Sequence, residues 1–229
     1  MDPKKVSPTF YKATQRHIKE YIVNVKALQN NIDKEDRSTV VKWAFELSKH
    51  FDFKLESYML AINYMDRFFS KNKIRRGELQ LVGAVTLMIA GKFEEIYRPE
   101  IKDYIWFTKD IYTKKQFIDM EERILKSLNY HLLYVTPLAF VNEMTQNSNE
   151  QIVLCAQYLC ILSTLNTSFL SLSSYDIADL SFQLATAIIS NNAIPKIPIT
   201  EDIMKLHKDN PAIYEYFKKK GLKDINIKF

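Results

Sequence analysis

The chain has 229 residues, of which 47% are hydrophobic and 26% are charged, and its formal net charge is +5. This composition is that of an ordinary globular protein, so disorder is not the expected state, and the length is sufficient to bury a full core. Average usage would give about 16 glycines in a chain of this length, but the sequence contains 4. Sheet-rich folds and phosphate-binding loops need glycine at positive φ, so its scarcity favours an all-α fold.

Apolar residues recur at helical spacing through the first part of the chain. An N-terminal helix is predicted over residues 9–28, followed by a polar link at 30–35. Five further helices are predicted at 37–51, 55–69, 78–96, 99–107 and 113–128. The third of the five is apolar on nearly every side, so it is predicted to lie at the centre of a bundle. Its small residues share one face and would let a neighbouring helix approach closely; they include Gly83, Ala84, Ala90 and Gly91.

The helical pattern restarts at Thr136 and Pro137. Helices are predicted at 137–145, 150–165, 173–190, 201–207 and 211–220. The third of these is loosely similar to the central helix of the first part. The chain is therefore predicted to form two helical bundles in tandem, joined near Val135.

Membrane insertion and nucleic-acid binding are not expected. The longest nearly apolar run, 79–90, is far shorter than the roughly 20 residues of a membrane span. Lysines and arginines alternate with acidic residues instead of forming a basic stripe. Cys155 and Cys160 point to different sides of one predicted helix and cannot pair, so they are predicted to be buried, reduced thiols. Such thiols are typical of the nucleus and cytoplasm, where we expect the protein to be located.

No catalytic or cofactor motif is present. The four histidines lack the spacing of metal ligands, and no GxGxxG, GxxxxGK[ST] or GxSxG pattern occurs. Adjacent acids such as Glu94 and Glu95 diverge by about 100° around a helix and do not converge on a substrate. The sequence therefore predicts a non-enzyme without a metal or cofactor.

Four charged residues stand in otherwise apolar helical stripes. Arg37 and Asp66 lie on different predicted helices, and a buried charge without a partner is too costly to keep, so we predict that they pair. Lys92 and Glu121 allow two interpretations. They form an internal salt bridge, which periodicity alone favours, or they supply polar contacts to a partner that covers the stripes.

Several ungapped segments resemble the cyclin box of A- and B-type mitotic cyclins. They are 65–70 (MDRFFS), 79–83 (LQLVG) and 91–97 (GKFEEIY), continued by Tyr112, Met120, Glu121, Leu128 and Thr136. The similarity covers about 37–138 well and extends loosely to the C-terminus. It implies an N-terminal helix and linker (1–35), a first cyclin box (36–134) and a shortened second cyclin-fold domain (135–229). The box and the second domain would form two tandem five-helix bundles, and the N-terminal helix would precede them.

The resemblance implies a non-catalytic subunit that forms a heterodimer with a cyclin-dependent kinase and activates it. Cyclins bind the kinase's C helix and reshape its activation segment. By resemblance, Lys92 and Glu121 hydrogen-bond the C-helix region, and Arg37 and Asp66 brace the first box internally. The implied apolar contacts are Ile89, Phe93, Leu125, Tyr130 and Leu132, with Ile18 and Tyr21 from the N-terminal helix.

The sequence departs from the family where mitotic cyclins form a groove for Arg-x-Leu substrate peptides. Arg37, Val40, Trp43 and Gln80 occupy groove positions, but Asp36, Thr39 and Val40 replace larger apolar groups. Lost apolar area forfeits roughly 25 cal/mol per Å², so substrate docking through this altered groove is predicted to be weak. Arg98 also stands where the usual pattern has proline. The alternatives are a cyclin-fold transcription-factor module that binds nucleic acid, and an all-helical enzyme.

Overall fold

The computed structural model describes residues 6–7, 9–10, 12, 14, 23–194 and 198–225. Within these ranges the regular elements are helices and no strand is found, which confirms the predicted all-α fold. The chain divides into two compact units. One is Val23–Tyr134, and the other contains 135–229 together with the described residues ahead of Val23.

The first unit is a bundle arranged around one buried helix. Its helices are α1 (Val25–Asn31), α2 (Lys34–His50), α3 (Leu55–Lys71), α4 (Leu79–Glu94), α5 (Ile101–Phe107) and α6 (Lys114–Ser127). Every residue of α4 from Leu81 to Gly91 is buried, and the helix packs against α2, α3 and α6. The prediction of a central helix is therefore confirmed.

Two glycines of α4 allow close packing. A methyl group at Gly83 would lie 2.8 Å from Val40 Cγ2 and 3.6 Å from the Trp43 ring. A methyl group at Gly91 would lie 2.8 Å from the ring of Phe53. The small-residue face thus lets α2 approach at Gly83 and lets Phe53, three residues after the end of α2, approach at Gly91.

We expect Gly83→Val to destabilise the first unit by about 1–3 kcal/mol, because the added methyl groups would overpack a full core. Val40 is 4% exposed, and rotation of its β-branched side chain about χ1 is restricted, so it cannot easily make room. Gly77→Val is the control, since a side chain there meets nothing within 4 Å. Urea denaturation of both variants measures the difference. Equal stabilities would show that α2 and α4 do not pack as described.

Two helix starts differ from prediction. The helix predicted over 9–28 does not run through Val23 and Asn24, because the backbone of Asn24 is extended and its side chain accepts a hydrogen bond from Ala27 N. A separate helix, α1, therefore occupies part of the predicted polar link. Pro99 precedes α5 instead of opening it, because Glu100 N donates to the Asp103 carboxylate at 2.7 Å and Glu100 is the N-cap.

The second unit contains α7 (Pro137–Met144), α8 (Glu150–Ser163), α9 (Ser174–Ile189), α10 (Pro198–Asp209) and α11 (Pro211–Lys219). Thr136 caps α7 through its side chain, and Pro137 occupies the first turn, as the restart of the pattern predicted. Cys155 and Cys160 are buried and neither forms a disulfide, and burial raises the pKa of Cys155 to about 12. None of the helices in the described ranges is long and apolar enough to span a membrane.

Candidate partner-binding surface

Lys92 and Glu121 meet on the surface of the first unit. Lys92 Nζ donates to Glu121 Oε1 at 2.6 Å, joining the end of α4 to the middle of α6. The side chains are 45% and 18% exposed, so water reaches the pair. The internal salt bridge favoured by periodicity is therefore present in the isolated chain. Its exposure leaves both groups accessible to a partner.

Helix register places apolar side chains beside this pair. Thr113 and Gln116 form the predicted capping box at the start of α6. Glu121 and Leu125 are four residues apart in this helix, so they lie one turn apart on one face. On α4, Phe93 follows Lys92 and is 47% exposed. Ile89, predicted as an apolar contact, is only 2% exposed and lies in the core of the isolated chain.

The segment after α6 is held in an unusual backbone conformation. Asn129 and Tyr130 have φ of 52° and 58°, and Tyr130 N donates to Leu125 O at 2.9 Å. Positive φ is uncommon for a bulky side chain and costs free energy that other contacts must offset. The turn leaves Tyr130 63% exposed.

Two side chains of α3 anchor the same segment. The Tyr64 hydroxyl donates to Leu132 O at 2.7 Å, and Arg67 Nη1 donates to His131 O at 2.9 Å. Leu132 is consequently fixed at the surface and partly buried. We call Lys92, Phe93, Glu121, Leu125 and Tyr130 the α4–α6 face.

Ile96 and Tyr97 are exposed residues that the sequence reasoning missed. They are 84% and 91% exposed directly after α4. The neighbouring Glu95 fixes this segment, because its carboxylate accepts from Lys54 N at 2.7 Å and from the Ser57 hydroxyl at the start of α3. The available signal was two adjacent large apolar residues at the end of the helix predicted over 78–96, which ends at Glu94 in the structure. The contact of Glu95 with the start of α3 was not visible in the sequence.

The groove residues near Trp43 are less accessible than predicted. Arg37 is fully buried, and Val40 is 4% exposed against Gly83. These two side chains are therefore not exposed at the surface, and their assignment to the docking groove stays a prediction. Trp43 and Gln80 are partly exposed. Trp43 packs against Phe107 with ring centroids 5.7 Å apart.

Arg37 instead forms the predicted buried ion pair. Its Nε and Nη2 atoms donate to the two carboxylate oxygens of Asp66, each at 2.7 Å. The side chains are 0% and 2% exposed. The predicted contacts Ile18 and Tyr21 lie outside the described residues. Among the residues that are described, no cluster of His, Cys, Asp and Glu could hold a metal.

Comparison with known protein families shows which family the chain belongs to. A family model described as the cyclin N-terminal domain matches residues 8–133, more than half of the chain. The chain belongs to the cyclin family. The resemblance to A-type cyclins is confirmed by human cyclin-A2, which is 31% identical over 228 residues. A G2/mitotic-specific cyclin-A of Hydra viridissima is 32% identical over 181 residues.

The alignments cover 93% of this chain and 53% of human cyclin-A2, and 77% and 42% for the Hydra protein. The chain thus spans about half the length of these curated relatives. A viral cyclin from herpesvirus saimiri superimposes with a TM-score of 0.63 at 18% identity, covering 82% of this chain and 85% of the other. A chain of the yeast RNA Pol II CTD kinase CTDK-1 complex gives 0.66 at 15%, covering 89% and 83%. These structures support the cyclin fold.

Proposed function

We propose that this cyclin is a non-catalytic subunit that binds and activates a cyclin-dependent serine/threonine kinase in the nucleus and cytoplasm, controlling the cell cycle. Its α4–α6 face would dock on the kinase's C helix, next to the activation segment. The observation that carries the proposal is an exposed ion pair, Lys92–Glu121, bordered by exposed aromatic side chains. Membership of the cyclin family makes a kinase the expected partner.

The face has the chemical groups needed to bind the polar end of a helix. Lys92 has three N–H donors, and the internal pair uses one carboxylate oxygen of Glu121. A partner backbone C=O and N–H can therefore be bound without first separating the pair. Phe93 and Tyr130 add apolar area, and buried aromatic side chains commonly dominate the energy of an interface.

Activation follows if this surface binds one conformation of the kinase better than the other. A ligand shifts a two-state equilibrium only by its difference in affinity for the two states. The hydrogen bonds from α3 to the carbonyls of His131 and Leu132, and from Tyr130 N to Leu125 O, hold this segment as a fixed surface. A C helix in the active position would fit this surface, and the inactive position would lose the contacts.

Reconstitution with purified cyclin-dependent kinases tests the proposal. We expect the chain to bind at least one kinase and to raise its activity. Tyr130→Ser is expected to weaken binding at least about tenfold, because tyrosine is among the residue types that most often dominate the binding energy of an interface. Ile111→Ser is the matched control, because Ile111 is 62% exposed in the same unit but outside the face. No binding to any kinase in the panel would contradict the proposal.

The nucleic-acid alternative predicts something different. Binding to a duplex falls steeply with salt because counterions are released. A gel-shift series against ionic strength therefore distinguishes a nucleic-acid module from a kinase subunit.

Substrate docking near Trp43 is expected to be weak. Asp36 pairs with Arg76 at 3.0 Å, and the buried positions of Arg37 and Val40 leave little open apolar surface. We predict that a fluorescently labelled Arg-x-Leu peptide shows no micromolar binding in an anisotropy titration. Micromolar binding that Trp43→Ala abolishes would refute this prediction.

A further inference from the structure

A short basic segment joins α3 to α4. Residues 71–76 (KNKIRR) contain four cations and no acid. The segment begins at the last residue of α3 and ends where the 3₁₀ turn Arg76–Glu78 leads into α4. A run of this kind typically serves nuclear import or binds nucleic acid, and otherwise it is a solvated loop. We call residues 71–76 the basic connector.

The basic connector is extended, and the exposure of its side chains alternates. The backbone of Asn72 has φ of −134° and ψ of 129°, and that of Arg75 has φ of −73° and ψ of 144°. Lys71, Lys73 and Arg75 are exposed, whereas Asn72 and Ile74 are partly buried. Every second side chain of an extended segment points to the same side. Lys73 and Arg75 therefore lie side by side, facing solvent.

Neighbouring side chains hold the two ends of the connector and leave its middle free. Asn72 Nδ2 donates to Ser127 Oγ at 2.9 Å, at the end of α6. At the other end, the Tyr112 hydroxyl donates to Gly77 O at 2.7 Å. The backbone of residues 73–74 forms no hydrogen bond with any residue that the structure describes. An extended backbone with unpaired N–H and C=O groups is suited to a receptor that binds extended peptides.

The protein neutralises only part of the charge on the connector. Arg76 pairs with Asp36 at 3.0 Å, but Arg75 comes only within 3.9 Å of Glu78. The side chain of Arg75 is 92% exposed. Lys73 forms no salt bridge with an acid in the described part of the chain. Lys73 and Arg75 are therefore available to the carboxylates of a partner.

The size of this patch favours an acidic protein groove over nucleic acid. Duplex binding draws its affinity from many phosphate contacts made together. The connector offers four cations, one of which already pairs with Asp36. A short extended segment instead matches a groove that binds the backbone and accepts alternate side chains in separate subsites. Charge complementarity requires those subsites to be acidic.

The other basic run, 218–220, lacks these features. It forms the last turn and the C-cap of α11, so its backbone is helical and already hydrogen-bonded. Lys218 also pairs with Asp224 at 2.8 Å. This run has three lysines at the surface but no extended backbone, which makes it a matched control for the connector.

We propose that the basic connector is a nuclear-import signal, bound by the acidic groove of an import adaptor. Lys73 and Arg75 enter acidic subsites of the groove, and the unpaired backbone of residues 73–74 hydrogen-bonds to its walls. The chain thus has its own route into the nucleus and does not depend on a kinase to carry it there. This inference rests on the nuclear location in the proposed function and is independent of kinase activation.

Binding of the full chain to a purified import adaptor, of the class that binds lysine- and arginine-rich signals, tests the inference. We expect the wild type to bind, and Lys73→Gln with Arg75→Gln to lower the affinity at least about tenfold. Lys73→Arg with Arg75→Lys keeps both charges and should stay within about threefold of wild type. Surface plasmon resonance measures the affinities, and circular dichroism confirms that the variants fold.

The control makes the same change in net charge on the helical run. Lys219→Gln with Lys220→Gln should leave the affinity for the adaptor near that of wild type. Equal losses in the control and in the connector variant would show a long-range charge effect and overturn the inference. Absence of adaptor binding by the wild type, or binding of the connector to duplex DNA in place of the adaptor, would also overturn it.

An import assay in permeabilised cells tests the consequence. The full chain, fused to enough fluorescent protein to prevent passive diffusion through nuclear pores, is supplied with purified import factors and no kinase. We expect the wild type and the control to accumulate in nuclei and the connector variant to stay outside. Kinase activation by the connector variant should equal that of wild type, because residues 73 and 75 lie outside the α4–α6 face.

The two assays separate this inference from the proposed kinase function. If the connector variant enters nuclei as fast as wild type while wild type activates a kinase, the import inference fails and the kinase function stands. If wild type activates no kinase but is imported through the connector, the kinase function fails and the import inference stands.

Discussion

Arg37→Ala is expected to lower the free energy of unfolding of the first unit by about 3–5 kcal/mol, because it leaves Asp66 charged and buried without its partner. The two groups share two 2.7 Å hydrogen bonds and are almost completely shielded from water. Asp66→Ala should have a similar effect, because it removes the carboxylate that pairs with the buried guanidinium of Arg37.

Urea denaturation followed by tryptophan fluorescence measures this effect in the intact chain. Both tryptophans, Trp43 and Trp106, belong to the first unit, so the signal reports that unit selectively. Lys126→Ala is the control, since it removes an exposed pair with Glu122, and such pairs contribute about 0.5 kcal/mol or less.

The double variant Arg37→Met with Asp66→Leu distinguishes the cost of an unpaired charge from the worth of the pair. Replacing both members of a buried pair with apolar residues is often neutral or stabilising. We therefore expect the double variant to recover most of the loss. If it is as unstable as Arg37→Ala, packing around the guanidinium matters more than the charge.

The buried pair shows what sequence periodicity can establish. Arg37 and Asp66 each interrupt an apolar stripe, and the high cost of burying a charge leaves pairing as the simple solution. The same reasoning located the central helix, because only a helix covered by others can be apolar on nearly every side. Both inferences rest on large free-energy costs, those of burying an unpaired charge and of exposing apolar surface, so they can be made from the sequence alone.

Structural features that depend on small free energies, or on contacts between residues far apart in the sequence, could not be predicted. The break at Val23 and Asn24 depends on one capping hydrogen bond, worth about 1 kcal/mol. Glu95 caps α3 from about 40 residues away, and no local pattern reveals that contact. Arg37 and Val40 were assigned to a groove by resemblance alone, although periodicity already predicted that Arg37 is buried with Asp66. How far α2 packs on α4, which buries Val40 against Gly83, could not be predicted.

Lys92 and Glu121 needed more than periodicity. The stripe pattern favoured an internal bridge, and the cyclin resemblance favoured a partner contact. The structure contains the bridge at a surface where a partner can reach it. The two interpretations are therefore compatible. An internal bridge predicts that mutation changes the free energy of unfolding, and a partner contact predicts that it changes the affinity for the kinase.

We expect Lys92→Ala and Glu121→Ala each to change the free energy of unfolding by less than about 1 kcal/mol, because the pair is solvent-exposed. Kinase binding should respond far more strongly. A hydrogen bond to a charged group contributes about 1.5–3 kcal/mol when it is removed from water, which corresponds to a 10- to 150-fold loss of affinity per residue. Combining both substitutions should abolish kinase activation at concentrations near the wild-type dissociation constant.

A double-mutant cycle run on both properties separates the two roles. Stability is measured by urea denaturation and affinity by calorimetry, with the four proteins of the cycle compared under the same conditions. If the pair serves only to join α4 to α6, stability falls and affinity for the kinase does not change. If the kinase binds these groups, affinity falls while stability stays nearly constant. The bridge would then act in the free cyclin by holding the two side chains in place for the partner, which lowers the entropy they lose on binding.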